Sequence, residues 1–261
     1  MEYFKRIEFT TANETISNLK NAISQYKVIH LSGYNLSISI QEFYTNLSDS
    51  IGEIFNEDED ILTGERKDNR WIDISYDPDL QDRYRSSNTR QPLHTDDSYV
   101  ELGDEKSLQF FFCESRAAFG GATTFFDLPD LVACMKSDGE DELLNRLLTT
   151  IVHFDKAGNK KVRKILDRDE KGYLANWNYY CIDREKNTPE ALALCEDFHA
   201  FLESRIIQAG LVMPVQLEKG DAVFFHDDRI LHGRNAYFAT QKGERCLIKG
   251  KIILDPEFEL V

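Results

Sequence analysis

Basic residues, paired cysteines and long apolar runs are all scarce in this chain, and each shortage closes a class of function. Lysine and arginine number 31 against 46 aspartates and glutamates, a net charge of −15. Binding a phosphate backbone needs a basic face, so no nucleic-acid partner is expected. The acidity is read as a solubility feature rather than a recognition surface. The five cysteines (Cys113, Cys134, Cys181, Cys195 and Cys246) are scattered and form no Cys-x-x-Cys pair. That spacing indicates neither a zinc knuckle nor a disulfide framework. No apolar stretch reaches the roughly 20 residues of a membrane-spanning helix, so no membrane partner is expected. The residues after Met1 lack the apolar stretch of a secretory signal. A reduced, cytoplasmic setting is therefore the expectation. No Gly-x-Gly-x-x-Gly follows a strand-like segment, which removes support for a dinucleotide-binding fold. Oligomeric state leaves no mark.

What is present is enough apolar material for a core, 41% hydrophobic and 11% aromatic, without a linker or repeat to divide it. A single domain over 1–261 is expected. Ile16, Leu19 and Ile23 fall at helical spacing within 12–26, and Ile40, Phe43, Leu47 and Ile51 within 39–51. Val28–Ser32, Trp71–Ser75 and Ser107–Phe112 are strand-like, being rich in β-branched or aromatic residues. Leu143, Leu144, Leu147 and Leu148 mark a short helix after Asp141. Thr188-Pro189-Glu190 opens a longer one, with Thr as cap and Pro in the first turn, that stops at Gly210. Strands are expected at 211–217, 221–227 and 244–254, with a turn at Lys219-Gly220. Helices first, strands in the middle and at the end favour an α+β, mainly β fold with an antiparallel core and flanking helices. The polar stretch within 53–70 is either a solvated loop or a lid.

His94-Thr-Asp96 carries the chemistry when it is taken with His232-Gly-Arg234. Alternate residues leaving a strand share one side, so His94 and Asp96 can offer two adjacent ligands. Two imidazoles and a carboxylate form the ligand set of a mononuclear non-haem iron(II) site, provided that His232 converges on them. Other histidines compete by residue type. His226 shares its side of a strand with Phe224 and reads as a packed residue, His30 and His199 sit in apolar-periodic segments, and His153 stays open as an alternative ligand.

These segments resemble the taurine dioxygenase and γ-butyrobetaine hydroxylase superfamily of iron(II)/2-oxoglutarate dioxygenases. The matching elements are His94-Thr-Asp96 with Tyr99, Gly120-Gly-Ala-Thr-Thr-Phe-Phe-Asp127, Gly220-Asp221, Leu231-His-Gly-Arg234 and Arg245. They occur in family order across residues 94–245; the first ninety residues match only in general character. The resemblance implies a double-stranded β-helix, or jelly roll, with flanking helices. It implies His94, Asp96 and His232 as ligands of Fe(II), with 2-oxoglutarate as cosubstrate and O2 as oxidant. Arg245 matches the arginine that pairs with the distal carboxylate of 2-oxoglutarate, and Thr123 a threonine that hydrogen-bonds it. Arg234 either approaches the cosubstrate or anchors its loop, and the former is expected. Asp127 and Tyr99 receive no fixed catalytic role.

Two positions bear on the reaction. Halogenating relatives have a small residue in place of Asp96, so a carboxylate here favours hydroxylation. Taurine dioxygenases carry a second arginine where this chain has Lys249, so the taurine pattern is not met. A small zwitterion, an amino acid or similar compound, is the expected substrate. Asp97, Asp227 or Asp228 would meet its ammonium and Arg90 or Arg116 its carboxylate. Desaturation, epoxidation and oxidative C–N chemistry stay open on the same cofactor, and a metal-binding jelly roll without turnover is the contrasting class.

Overall fold

The computed structural model describes residues 3–55, 70–81, 83–100, 107–156 and 158–260. The segment read as loop or lid lies mostly outside these residues. The fold is mixed α+β and mainly β. Eleven strands build two sheets: β1 (Phe4–Glu8), β2 (Val28–Ser32), β3 (Gly52–Ile54), β4 (Ile72–Ser75), β5 (Gln91–His94), β6 (Ser107–Ser115), β7 (Thr123–Asp127), β8 (Met213–Val215), β9 (Ala222–His226), β10 (Ile230–Arg234) and β11 (Cys246–Leu254). The larger sheet has the order β1-β2-β9-β6-β11-β3, with β4 also on β11, and the smaller has β8-β7-β10-β5. Helix α1 (Ala12–Ile23) joins β1 to β2, which are parallel. The other strand pairs of the two sheets are antiparallel.

Period-2 alternation sorts the side chains into three layers. Phe111, Phe225 and Val223 of the larger sheet meet Phe125 and Ile230 of the smaller one in a shared core. Their neighbours Phe110, Phe112 and Phe224 point the other way, toward α1 and α2 (Ile40–Asp49). On the smaller sheet, Phe126 and Leu231 turn outward beneath α3 (Leu128–Ser137), α4 (Asp141–Thr149) and α5 (Pro189–Phe201). Each buried phenylalanine contributes about 1.5–3 kcal/mol, which fixes the register, since a one-residue slip would invert every layer.

Local chemistry starts and ends the helices. Thr11, Ser39 and Thr188 each accept a hydrogen bond from a backbone N–H of the first turn, satisfying a donor that has no intrahelical partner. Helix α5 continues as a π turn over Leu202–Ile207 before Gly210. At Gly220, the φ of +89° makes the expected turn, and a Cβ would stand 2.5 Å from the Tyr34 ring. Among the described residues no helix is long and apolar enough to cross a membrane.

Candidate active site

The smaller sheet brings the two histidines together. His232 on β10 lies directly opposite His94 at the end of β5, and their rings approach to 4.2 Å between centroids. His232 alternates with the outward Leu231 and so faces the inter-sheet space, against Phe225. The chain leaves β5 through Thr95 into a short 3-10 turn, Asp96–Tyr99. That turn swings the Asp96 carboxylate between the two rings, with Oδ1 at 3.4 Å from His94 Nε2 and Oδ2 at 3.7 Å from His232 Nε2. One ligand atom from each of the three residues lies within 4.8 Å of the others.

Hydrogen bonding sets the His94 tautomer. Its Nδ1 lies 2.9 Å from the carbonyl oxygen of Pro92, which can only accept, so Nδ1 carries the proton and Nε2 keeps a lone pair. The Gln91 amide donates to that lone pair at 3.0 Å. Burial, then the neighbouring His94, lower the pKa of His232, which keeps its ring neutral. Burial alone would raise Asp96. Lys249 Nζ, 3.0 Å from Oδ2, leads the influences that outweigh it and hold the carboxyl well below its ordinary range. The result is two imidazole nitrogens and one anionic oxygen, a set that fits a divalent first-row metal.

Beside this triad sits a pair of buried arginines. Arg234 and Arg245 are 4% and 3% exposed, and both guanidinium groups lie on the ring of Tyr237, at 5.2 and 4.9 Å from its centroid. Arg234 Nη2 donates to the carbonyls of Ser87 and Thr89, and Arg245 Nη2 to that of Gly121. Arg234 Nε and Nη1 and Arg245 Nη1 are buried with no hydrogen-bond acceptor from the protein. Burial, then its neighbour Arg245, push Arg234 down to about 10, and burial lowers Arg245. Unsatisfied buried donors cost about 1–3 kcal/mol each. Two cations aiming spare N–H groups into one space call for an anion.

That space is a cavity of about 350 Å³, within the range of small-molecule sites. All six residues singled out in the sequence line it: His94, Asp96, His232, Thr123, Arg234 and Arg245. Thr123 is buried on β7, paired in register with Arg234. Gly121 has a φ of +80°, and a Cβ there would stand 3.0 Å from Arg245 Nε, so the Gly120-Gly121 step makes room for the guanidinium.

The side chains expected to meet the substrate's charges lie elsewhere, whereas His226 and Asp127 are structural as expected. Asp97 is buried against Lys251, Gln109 and Ser107. The Asp227 carboxylate accepts from two backbone amides, and Asp228 faces Arg229. None of the three lines the cavity, so they offer a substrate ammonium nothing there. Arg90 pairs with Glu203 and Arg116 with Glu218, also off the cavity. His226 is packed, its Nε2 2.8 Å from the carbonyl of Ile23. Asp127 caps α3 and pairs with Lys27. His153 lies off the cavity. Residues that reach it without having been anticipated include Gln91, Arg83, Tyr84, Arg85, Lys156, Asn178 and Tyr180. They carry no motif; the one sequence signal that could have found some of them is the basic-aromatic run Arg83-Tyr84-Arg85 in an acidic chain.

The fold and family agree with this geometry. Asparagine oxygenase, solved with Fe(II), 3-hydroxyasparagine and succinate, superposes with a TM-score of 0.67 at 10% identity, over 92% of this chain and 78% of that one. PvcB from Pseudomonas aeruginosa gives 0.66 at 17% identity, over 97% and 87%. The non-haem iron oxygenase OrfP, solved with Fe and α-ketoglutaric acid, gives 0.65 at 14% identity, over 92% and 78%. No curated protein matches the sequence. The family model for the taurine catabolism dioxygenase TauD, TfdA family, matches residues 6–250. With nearly the whole chain covered, this protein belongs to the TauD/TfdA dioxygenase family.

Proposed function

We propose that this chain is a single-domain Fe(II)/2-oxoglutarate-dependent dioxygenase, with a double-stranded β-helix core, that hydroxylates a C–H bond of a small amino-acid-like metabolite. The observation that carries the reading is the placement of a two-histidine, one-carboxylate set and two buried arginines with spare donors on one cavity. His94, Asp96 and His232 would hold the iron, which supplies O2 activation coupled to oxidative decarboxylation of 2-oxoglutarate to succinate and CO2.

The protein's own residues supply position and charge. Arg245 and Arg234 offer the N–H donors that a dicarboxylate requires, and the planar guanidinium matches a carboxylate in a way lysine does not. Thr123 adds a hydroxyl beside them. Phe111, Ile72, Ile74 and Leu247 line the cavity with apolar surface and limit water. Arg83, Arg85 and Lys156 also line the cavity, with Tyr84 and Tyr99, and are the cationic side chains offered to a substrate carboxylate. The proteins solved with hydroxyasparagine and hydroxyarginine support an amino-acid-like substrate by analogy. A zwitterion keeps its anionic end in this reading, while the aspartates once expected to meet its ammonium lie elsewhere. The five free cysteines support a reducing, cytoplasmic setting. Asp96 fills the position a halide would need, which favours hydroxylation.

The test is anaerobic titration of the purified protein with Fe(II) and 2-oxoglutarate, followed by aerobic succinate release against an amino-acid panel. A visible charge-transfer band and substrate-dependent succinate are expected. Absence of the band, with no binding of either component, would overturn the reading.

A further inference from the structure

Asp227 is fully buried, 0% exposed, yet it belongs to neither the triad nor the cavity. It sits in the short turn that joins β9 to β10, five residues before His232. Its two carboxylate oxygens reach across to the other ligand-bearing segment. Oδ1 accepts from the backbone N–H of Asp96 at 2.9 Å and Oδ2 from that of Asp97 at 2.8 Å. Oδ1 also lies 3.4 Å from Nδ1 of His232. The two segments are more than a hundred residues apart in sequence, and this one side chain touches both.

The arrangement solves a problem that the β5–β10 pairing leaves open. Pairing in register fixes the two histidine Cα atoms, but Asp96 lies beyond the last residue of β5, where the strand ladder no longer holds the backbone. Two N–H bonds to one rigid carboxylate replace that ladder for the Asp96 turn. The turn is braced elsewhere by Thr95, whose N–H donates to the carbonyl of Trp177. At the other end, the carboxylate lies 3.4 Å from Nδ1, just short of a hydrogen bond, and its charge favours the tautomer that leaves Nε2 free.

We propose that Asp227 is the positioning residue that sets the separation of the two ligand-bearing segments and the orientation of the His232 ring. This rests on the reading of His94, Asp96 and His232 as metal ligands. Asparagine has the same shape but replaces one acceptor oxygen by an NH2 group. In Asp227→Asn a donor must therefore oppose a donor, at Asp96 N–H, at Asp97 N–H or at His232 Nδ1–H.

The experiment compares Co(II) binding and the Co(II) visible spectrum in the full-length protein, its Asp227→Asn variant and Asp228→Asn. Asp228 faces Arg229, and that variant should bind Co(II) as the parent does. Asp227→Asn should lose about 10- to 100-fold in Co(II) affinity and show an altered spectrum while melting as a folded protein. Parental affinity and spectrum in folded Asp227→Asn would overturn the proposal. Should that variant not fold, the Zn(II)-loaded parent decides: a downfield, slowly exchanging Nδ1–H resonance from His232 is expected, and its absence overturns the proposal. Failure of the parent itself to bind Co(II), or undiminished binding by His94→Ala, would instead strike the ligand assignment.

Discussion

Arg234 ends β10, two residues after His232, Arg245 lies just before β11, and the two share the ring of Tyr237. Two like charges held this close, both nearly inaccessible to water, persist only where each is fixed by its own acceptors. Tyr237 is fixed in turn, since its hydroxyl donates to the carbonyl of Ser87, the same carbonyl that takes Arg234 Nη2. The pair is thus built before any anion arrives, and the donors left over define where the anion goes.

Replacing Arg245 by lysine keeps the charge but removes the planar fork. Charge-assisted hydrogen bonds are worth about 1.5–3 kcal/mol, so the KM for 2-oxoglutarate should rise by about 10- to 100-fold. The Fe(II) affinity, measured without 2-oxoglutarate, should stay near the parental value. Steady-state succinate release at varied 2-oxoglutarate checks the first point. An unchanged KM would remove Arg245 from the cosubstrate site.

Gly121→Ala attacks the same site through the backbone. The residue has a φ of +80°, and the new Cβ would meet Arg245 Nε at 3.0 Å. A left-handed alanine costs about 1–2 kcal/mol, so a lowered melting temperature is expected together with a raised KM for 2-oxoglutarate. Gly139→Ala has a similar φ of +76° but open space around it. It should lose stability and leave the KM alone. Equal KM values in the two variants would show that the contact to Arg245 does not matter.

The triad was legible because its chemistry is written in residue type, and β10 and β5 then place it by ordinary strand pairing. The layers were legible too where alternation is clean, as in Phe110-Phe111-Phe112 and Phe224-Phe225. Other elements hid for physical reasons. Strand β1 (Phe4–Glu8) buries only Ile7 among its charged neighbours, so it shows no apolar run; it is stabilised by parallel pairing to β2. Helix α3 follows β7 without a loop, its cap Asp127 being the last strand residue, and the segment reads as one motif. The hairpin Ile151–Lys156 with Asn159–Lys164 is lysine-rich and partly exposed, which weakens its period. The cationic part of the cavity lining could not be read at all. Arg83, Arg85 and Lys156 converge only through the tertiary fold, whereas Asp97 and Asp227 resembled recognition charges and serve internal hydrogen bonds instead.

Stability should fall in mild acid through His226. Burial, the largest influence, pushes its pKa down to about 4, while the unfolded value is near 6.5. Between these values the unfolded chain binds more protons, so this contribution is complete above about pH 6.5 and is lost as pH falls toward 4. The displacement corresponds to about 3 kcal/mol at most. His30, also pushed down to about 4, by burial and then Arg6, adds in the same direction. Urea midpoints measured from pH 7.5 to 4.5 should decline, and His226→Gln should flatten the decline. A His226→Gln profile as steep as the parental one would assign the acid sensitivity elsewhere.

Asp96 has two partners that its removal would affect differently. Asp96→Ala deletes the proposed anionic ligand and the carboxylate that Lys249 faces. Breaking a fully buried pair costs about 3–5 kcal/mol; Asp96 keeps about a fifth of its side chain exposed, so about 1–2 kcal/mol is expected here. Hydroxylated product should disappear, and Fe(II) binding should weaken. The double variant Asp96→Ala/Lys249→Met also removes the ammonium that faced Asp96 and should melt above the single variant. It should not recover iron binding or turnover, because the missing donor is still missing. Thermal melts paired with Fe(II) titration separate the two effects. Hydroxylation at the parental rate in either variant would exclude Asp96 as a ligand, and a double variant no more stable than the single one would exclude Lys249 as its structural counter-ion.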